Sequence, residues 1–94
     1  MYMKAFSVHD TKADLWNSPF FMRTEAEAVR SFGAIAQDLK TAIGQHPRDF
    51  VLYLVGDFDD STGVIRACDE PELLAVAADM LSPDENQLDM EGLQ

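Results

Sequence analysis

The apolar and polar positions at the start of the chain predict strands separated by a loop. Residues 2–8 (YMKAFSV) are aromatic and apolar in a short run that is typical of a β-strand. Residues 9–19 mix charged and turn-forming residues and end in Asn-Ser-Pro, so they predict a long loop that packs Leu15 and Trp16 onto the body of the protein. Residues 20–23 predict a second short strand.

A helix is predicted to begin at Thr24, because Thr24 and Glu27 have the spacing of a capping box. Apolar residues then recur at helical intervals from Ala28 to Ile43, which indicates a helix with one face on a sheet. Gly44 stands where a left-handed C-terminal cap is expected. The pattern therefore predicts one helix between residues 24 and 44.

The run of residues 50–55 (FVLYLV) is apolar at every position and predicts a central strand. Both of its faces should be covered, one by the helix and the other by a second helix or a partner chain. Turn-forming residues follow at 56–63, and residues 64–67 resume strand character, so residues 50–67 predict a β-hairpin.

A second helix is predicted after the hairpin. Asp69 can cap its start, Pro71 is tolerated in a first turn, and apolar residues between 73 and 81 lie on one helical stripe. The resulting fold class is α+β, in the order β-β-α-β-β-α, with a mainly antiparallel sheet of about four strands and helices on one face. We expect one domain over residues 1–81 and a flexible acidic C-terminal tail over residues 82–94.

The composition is that of one small soluble domain. With 94 residues and 47% hydrophobic content, the chain can bury only a modest core, so a homodimer is expected to add stability. Cys68 is the single cysteine, which excludes an intrachain disulfide and indicates a reducing, cytoplasmic setting. No stretch has the length of a membrane span, and the first residues lack the apolar region of a signal peptide.

The net charge of −10 is carried by the second half of the chain. Residues 1–50 hold six basic and six acidic side chains, whereas residues 51–94 hold one arginine and eleven acidic side chains. A uniformly acidic protein is repelled by DNA. The neutral half, however, predicts a locally basic surface on which bases stack, with Trp16, Phe20 and Phe21 as the stacking platform near Lys12 and Arg23. The candidate nucleic-acid-binding residues are Lys4, Lys12, Trp16, Phe20, Arg23, Arg30 and Arg48. Alternatively, the aromatic residues among them fill the core.

The hairpin turn is rich in oxygen ligands, since Asp57, Asp59 and Asp60 lie within four residues. A calcium loop of the EF-hand type needs a glutamate at position 68, where this chain has Cys68. The pattern therefore favours a solvated turn in which the side chains bond their own backbone, and we predict neither a metal nor a cofactor.

Catalysis is not predicted. An acid–base pair of His9 with Asp10 or Asp14 is conceivable, but no serine or cysteine nucleophile motif accompanies it. The chain also has no glycine-rich phosphate loop. We therefore expect a protein without enzymatic activity.

Four blocks of sequence between residues 4 and 67 carry a family resemblance: residues 17–20 (NSPF), 28–32 (AVRSF), 46–53 (HPRDFVLY) and 56–63 (GDFDDSTG). The chain resembles the small nonstructural protein of gokushovirus-type microviruses, which are phages with circular single-stranded DNA genomes. The resemblance implies a phage protein that is made in the host bacterial cytoplasm, is absent from the virion and acts in viral DNA replication. It implies no particular catalytic or binding residues.

Two functions follow from charge and resemblance together. The first is a weak single-stranded DNA-binding or replication-switch factor that contacts viral DNA or replication proteins through the neutral half. The alternative is an acidic, non-catalytic adaptor that binds a basic host or viral protein as a DNA mimic would. Asp57, Asp59 and Asp60 are the candidate partner-binding residues of this adaptor.

Overall fold

Five antiparallel strands and two helices make up the part of the chain that the structure, a computed structural model, describes, namely residues 2–81. The strands are β1 (Tyr2–Asp10), β2 (Leu15–Trp16), β3 (Phe20–Met22), β4 (Phe50–Asp59) and β5 (Val64–Val76). The helices are α1 (Glu25–Ala36) and α2 (Ala42–Gln45), and 3-10 turns follow at Pro47–Asp49 and Ala77–Met80. The protein is therefore α+β with a mainly antiparallel sheet, as the sequence predicts.

The centre of the sheet is formed by β1 and β4. They pair along their whole lengths, from Tyr2 opposite Asp59 to Asp10 opposite Phe50. On its other side β1 pairs with β3 at one end and with β2 at the other, and β5 pairs with the free side of β4. One edge of the sheet therefore consists of β2 and β3, and the opposite edge is β5.

The core lies between α1 and one face of this sheet. Phe6, Leu52 and Phe32 are its largest fully buried side chains, contributed by β1, β4 and α1. Phe20 of β3 packs against the same cluster, and its ring lies 5.6 Å from that of Phe6. Because burial of each such side chain contributes about 1.5–3 kcal/mol, this contact holds the helix on the sheet.

The predicted capping box is present at the start of α1. The Thr24 hydroxyl accepts a hydrogen bond from the Glu27 amide at 3.1 Å, and the Glu27 carboxylate accepts one from the Thr24 amide at 3.2 Å. The predicted length of the helix is wrong, because α1 ends at Ala36. Thr41 caps the separate helix α2 by accepting from the Gly44 amide at 2.9 Å, so Gly44 lies inside α2 and does not end α1.

The predicted second helix is also wrong. Residues 69–76 continue β5, and only Ala77–Met80 are helical, as a 3-10 turn. In β5, Leu73 pairs with Tyr53 and Ala75 with Leu52, so the strand satisfies the backbone of β4 up to Val51. This pairing outweighs the local helix-start signal, and Pro71 is tolerated because β5 is an edge strand. The observed order is thus β-β-β-α-α-β-β.

Two other parts of the prediction concern residues 9–19 and residues 82–94. Between residues 9 and 19 the structure has the end of β1 and the short strand β2 where the sequence predicts a loop. The expected acidic tail, residues 82–94, lies outside the described residues.

The positions of the two helices decide which face of the sheet is covered. Within residues 2–81, both helices precede β4, and their core residues pack on one face of the sheet. No helix within the described residues lies on the other face.

Two irregularities bend the central strands. The register between β1 and β4 shifts after Ala5, and that between β4 and β5 shifts around Val55. Bulges of this kind increase the twist and curl the sheet. Gly56 lies at this point, and a Cβ there would overlap the carbonyl oxygen of Arg66 on β5. The close approach of the two backbones therefore requires glycine.

Replacement of Gly56 by alanine is expected to destabilise the fold by about 1–3 kcal/mol, because a backbone must move to admit the methyl group. The free energy of unfolding in urea measures this change. Gly33→Ala is the control, since its Cβ would meet only Met80 at 3.6 Å and lie within a helix. We expect the control to be neutral or stabilising by about 0.4–1 kcal/mol. Equal effects of the two substitutions would contradict the assigned register.

Candidate functional site

The candidate site is the outer face, defined as the sheet surface opposite α1. Directly paired residues of antiparallel strands project to the same face, and those next to Phe6 and Val8 in β1 project away from the core. This assigns to the outer face the following side chains of β1 to β5: Met3, Ser7, His9, Trp16, Phe21, Tyr53, Phe58, Ile65 and Leu73.

Three rings form an aromatic cluster at one end of the outer face. The ring of Trp16 stacks on that of His9 with centroids 4.4 Å apart and lies 4.8 Å from that of Tyr53. The rings of His9 and Tyr53 meet edge to face at 6.3 Å. Trp16 is 45% exposed, so the cluster offers a ring surface to solvent. We call His9, Trp16 and Tyr53 the aromatic cluster.

The aromatic cluster is positioned by the turn between β1 and β2. The Asp10 carboxylate accepts hydrogen bonds from the amides of Lys12 and Ala13 at 3.0 and 3.2 Å. Asp14 adopts a positive φ of 57°, which turns the chain back so that Trp16 reaches His9. The Asp14 Oδ1 atom lies 3.0 Å from His9 Nε2 and fixes the orientation of the imidazole ring.

The segment after Trp16 is held in place by two hydrogen bonds to β1. The Asn17 amide donates to the Val8 carbonyl at 2.9 Å, and the Ser7 hydroxyl donates to the Asn17 carbonyl at 2.7 Å. Ser7 is itself buried, at 4% exposure. These bonds explain how a strand of two residues keeps a large exposed ring in one position.

A second ring pair lies at the other end of the outer face. The rings of Phe21 and Phe58 are 5.6 Å apart, and Phe21 is exposed. Ile65 pairs with Phe58 and Leu73 pairs with Tyr53, and both aliphatic side chains are more than half exposed. The outer face thus carries exposed aromatic and aliphatic side chains at both of its ends, which is unusual for a solvent-facing sheet.

The predicted nucleic-acid-binding residues fall into two groups. Trp16 joins the aromatic cluster, Lys12 lies in the turn beside it, and Arg23 directly follows β3. These three residues therefore share the β2–β3 edge of the sheet, and Arg30 lies on α1.

The other three predicted residues lie elsewhere. Lys4 is opposite Asp57 on the face of β1 that carries Phe6, and Arg48 is in the 3-10 turn before β4. Phe20 packs against the core cluster. It is the next residue, Phe21, that reaches the outer face, because neighbouring residues of a strand project to opposite sides.

The predicted partner-binding aspartates lie at the β4–β5 turn. Asp57 is opposite Lys4 and Arg66, and its Oδ1 atom is buried without a hydrogen-bond partner among the described residues. The Asp59 carboxylate accepts from the Ser61 amide at 2.9 Å, and this bond holds the pKa of Asp59 below its ordinary value. Asp60 is exposed in the turn.

Further acidic residues continue along β5, at Asp69, Glu70 and Glu72, which are all exposed. We call these three residues the acidic edge. Because β5 lies at the opposite side of the sheet from β2 and β3, the acidic edge and the Lys12–Trp16–Arg23 group lie on opposite sides of the sheet. Among residues 2–81, no three or more His, Cys, Asp or Glu side chains are grouped to hold a metal ion.

Sequence reasoning missed three of the five rings on the outer face, those of His9, Tyr53 and Phe58. Tyr53 stood in an all-apolar run that gave no indication of its face, and Phe58 stood between two aspartates in the predicted turn. His9 was assigned to a loop. The alternation of positions 5, 7 and 9 with buried Phe6 and Val8 could have extended β1 and placed His9 on the outer face.

Comparison with known proteins places most of the chain in one family. The family model described as "Phage ORF5 protein" matches residues 3–80, which run from β1 through the 3-10 turn that follows β5. No curated protein and no solved structure matches the chain. In the part of the chain that the structure describes, no helix is long and apolar enough to cross a membrane.

The aromatic cluster predicts that the emission of Trp16 changes when the His9 ring is removed. Trp16 is the single tryptophan, so its fluorescence reports on this cluster. His9→Ala should shift the emission maximum to longer wavelength and increase quenching by acrylamide, because the indole loses the ring that covers one of its faces. His46→Ala is the control and should leave the emission unchanged, since His46 is exposed and lies outside the aromatic cluster. Equal spectra of the two variants would disprove the stacking.

Proposed function

Because the chain belongs to the Phage ORF5 protein family, we propose that it is a phage protein that acts in viral DNA replication by binding single-stranded DNA. The four sequence blocks that resemble the small nonstructural protein of gokushovirus-type microviruses support the finer assignment. Those phages have single-stranded DNA genomes, so a protein with this role meets its ligand in the host cytoplasm. The proposed activity is binding without catalysis and without a cofactor.

The outer face is the observation that carries this proposal. Every base has a π-face, and stacking of one base on an aromatic side chain contributes about 1–3 kcal/mol without selecting a sequence. Sheets with exposed rings and no helix over them are used by nucleic-acid-binding domains in this way. Trp16 in the aromatic cluster and Phe21 beside Phe58 provide two such stacking positions.

The distribution of charge supports binding at one side of the outer face. Lys12 and Arg23 lie at the two ends of the β2–β3 edge, next to Trp16 and Phe21. The acidic edge lies on the opposite side of the sheet. Four of the seventeen acidic residues lie beyond residue 81. Because few phosphates are neutralised, we expect affinity to come mainly from stacking and to remain weak.

A homodimer is part of the proposal. A protein of this size buries a modest core, and a second copy would bring a second outer face to the same DNA strand. Two weak binding surfaces linked in one particle bind a long strand more tightly than either does alone, because the second contact is intramolecular.

The adaptor function is the second candidate, and the acidic edge favours it. β5 is thirteen residues long and forms an edge of the sheet, so its outward backbone groups and the exposed carboxylates of Asp69, Glu70 and Glu72 lie along one edge. A basic strand or loop of another protein would find hydrogen bonds and opposite charge there. Asp59 and Asp60 lie at the hairpin turn, close to the residue at which β5 begins.

Trp16→Ala tests the stacking that the proposal requires. The substitution should weaken binding to a labelled oligothymidylate about tenfold or more, as measured by fluorescence anisotropy at about 50 mM salt. Leu15→Ala is the matched control. Leu15 is 65% exposed and adjacent in β2, but it projects to the opposite face, so affinity should not change. Equal losses in the two variants would contradict a stacking role for Trp16.

Removal of residues 82–94 separates the two candidate functions. A chain that ends at Leu81 lacks four acidic side chains, so a single-stranded DNA-binding protein should bind the same oligonucleotide more tightly in this form. The gain should be larger at about 50 mM than at about 200 mM salt, because salt screens charge repulsion. If neither form binds at either concentration, the DNA-binding proposal is wrong and the adaptor function remains.

A further inference from the structure

A cleft of about 420 Å³ opens where the outer face meets the start of α1. Residues at the end of β3 and on the first two turns of α1 surround it, together with one residue of β1. They include Met3, Phe21, Met22, Arg23, Glu27 and Arg30. Its volume lies within the range of sites that hold small ligands or parts of larger ones.

Two arginines give the cleft its chemistry. Arg23 and Arg30 are both exposed, and within residues 2–81 neither guanidinium lies at ion-pair distance from a carboxylate. The Glu27 carboxylate also borders the cleft, but it accepts hydrogen bonds from the Thr24 amide and hydroxyl at 3.2 and 3.3 Å. The cleft is therefore a cationic position on an acidic protein.

The cleft is continuous with the second ring pair. Phe21 lines the cleft and also contacts Phe58 on the outer face, and Met3 pairs with Phe58 across β1 and β4. A base that stacks on Phe21 therefore has its sugar and phosphate next to the two arginines. Guanidinium groups bind phosphate through paired, charge-assisted hydrogen bonds.

We infer that this cleft binds a backbone phosphate of the single-stranded DNA whose base stacks on Phe21, an inference that rests on the proposed function. Ala5 pairs with Phe21 and His9 pairs with Trp16, so the two stacking positions are four residues apart along β1. That separation is about 13 Å. A short oligonucleotide thus spans both positions along the β2–β3 edge and ends in the cleft, away from the acidic edge.

The double variant R23Q/R30Q of the full chain tests the inference. Affinity for oligothymidylate is measured by anisotropy at several salt concentrations. Single-strand affinity falls with a log–log slope of about −0.7 for each phosphate neutralised, so the variant should show a slope shallower by about 0.7. The matched control is K40Q/R66Q, which makes the same change in net charge at two exposed cations away from the cleft. Its slope should equal that of the unmodified chain.

The outcomes distinguish the inference from the proposed function. An unchanged slope in R23Q/R30Q, with binding retained, overturns the cleft and leaves the DNA-binding proposal standing. Equal changes in the two double variants also overturn the cleft, because they report only long-range charge. No binding by the unmodified chain overturns both. Urea unfolding of each variant verifies its fold, which should be unaffected because all four substituted side chains are exposed.

Discussion

The pairing of β5 along almost the whole of β4 is the constraint on which the rest of the structure depends. It supplies hydrogen-bond partners for one side of the most apolar strand, and it uses residues that would otherwise have formed a second helix. With those residues in the sheet, α1 covers one face and no helix covers the other within residues 2–81. The exposed rings and their separation from the acidic edge both follow from this one pairing.

The fold was predictable wherever local signals and tertiary packing agree. The Thr24–Glu27 capping box fixed the start of α1, and the turn residues indicated the β4–β5 hairpin, although residues 56–59 of the predicted turn continue β4. The local sequence signals predicted the wrong element where tertiary packing opposed them. Asp69 and Pro71 satisfy the rules for a helix start, but the next residues gain more from pairing with β4. Similarly, Gly44 was taken for a helix end, although the close approach of its backbone to Asp38 is what requires glycine there.

The candidate site was predictable only in part, because stacking surfaces depend on which face a side chain occupies. Trp16, Lys12 and Arg23 were identified from composition, and the structure places them on one edge. Phe20 and Phe21 could not be distinguished without the register of β3 against β1, since one residue enters the core and the next faces solvent. His9 and Tyr53 needed the same information. A single strand register therefore determines which of several similar residues form the site.

The acidic edge has a consequence for how copies of this protein meet one another. An unpaired strand of thirteen residues is a template on which an identical strand could add and start a polymer. Pro71, near the middle of β5, has no amide hydrogen and cannot donate a hydrogen bond to such a strand. An antiparallel neighbour centred on that residue would also place Glu70 of each copy opposite Glu72 of the other. Charge and proline thus oppose the addition of a second copy of this strand at the open sheet edge.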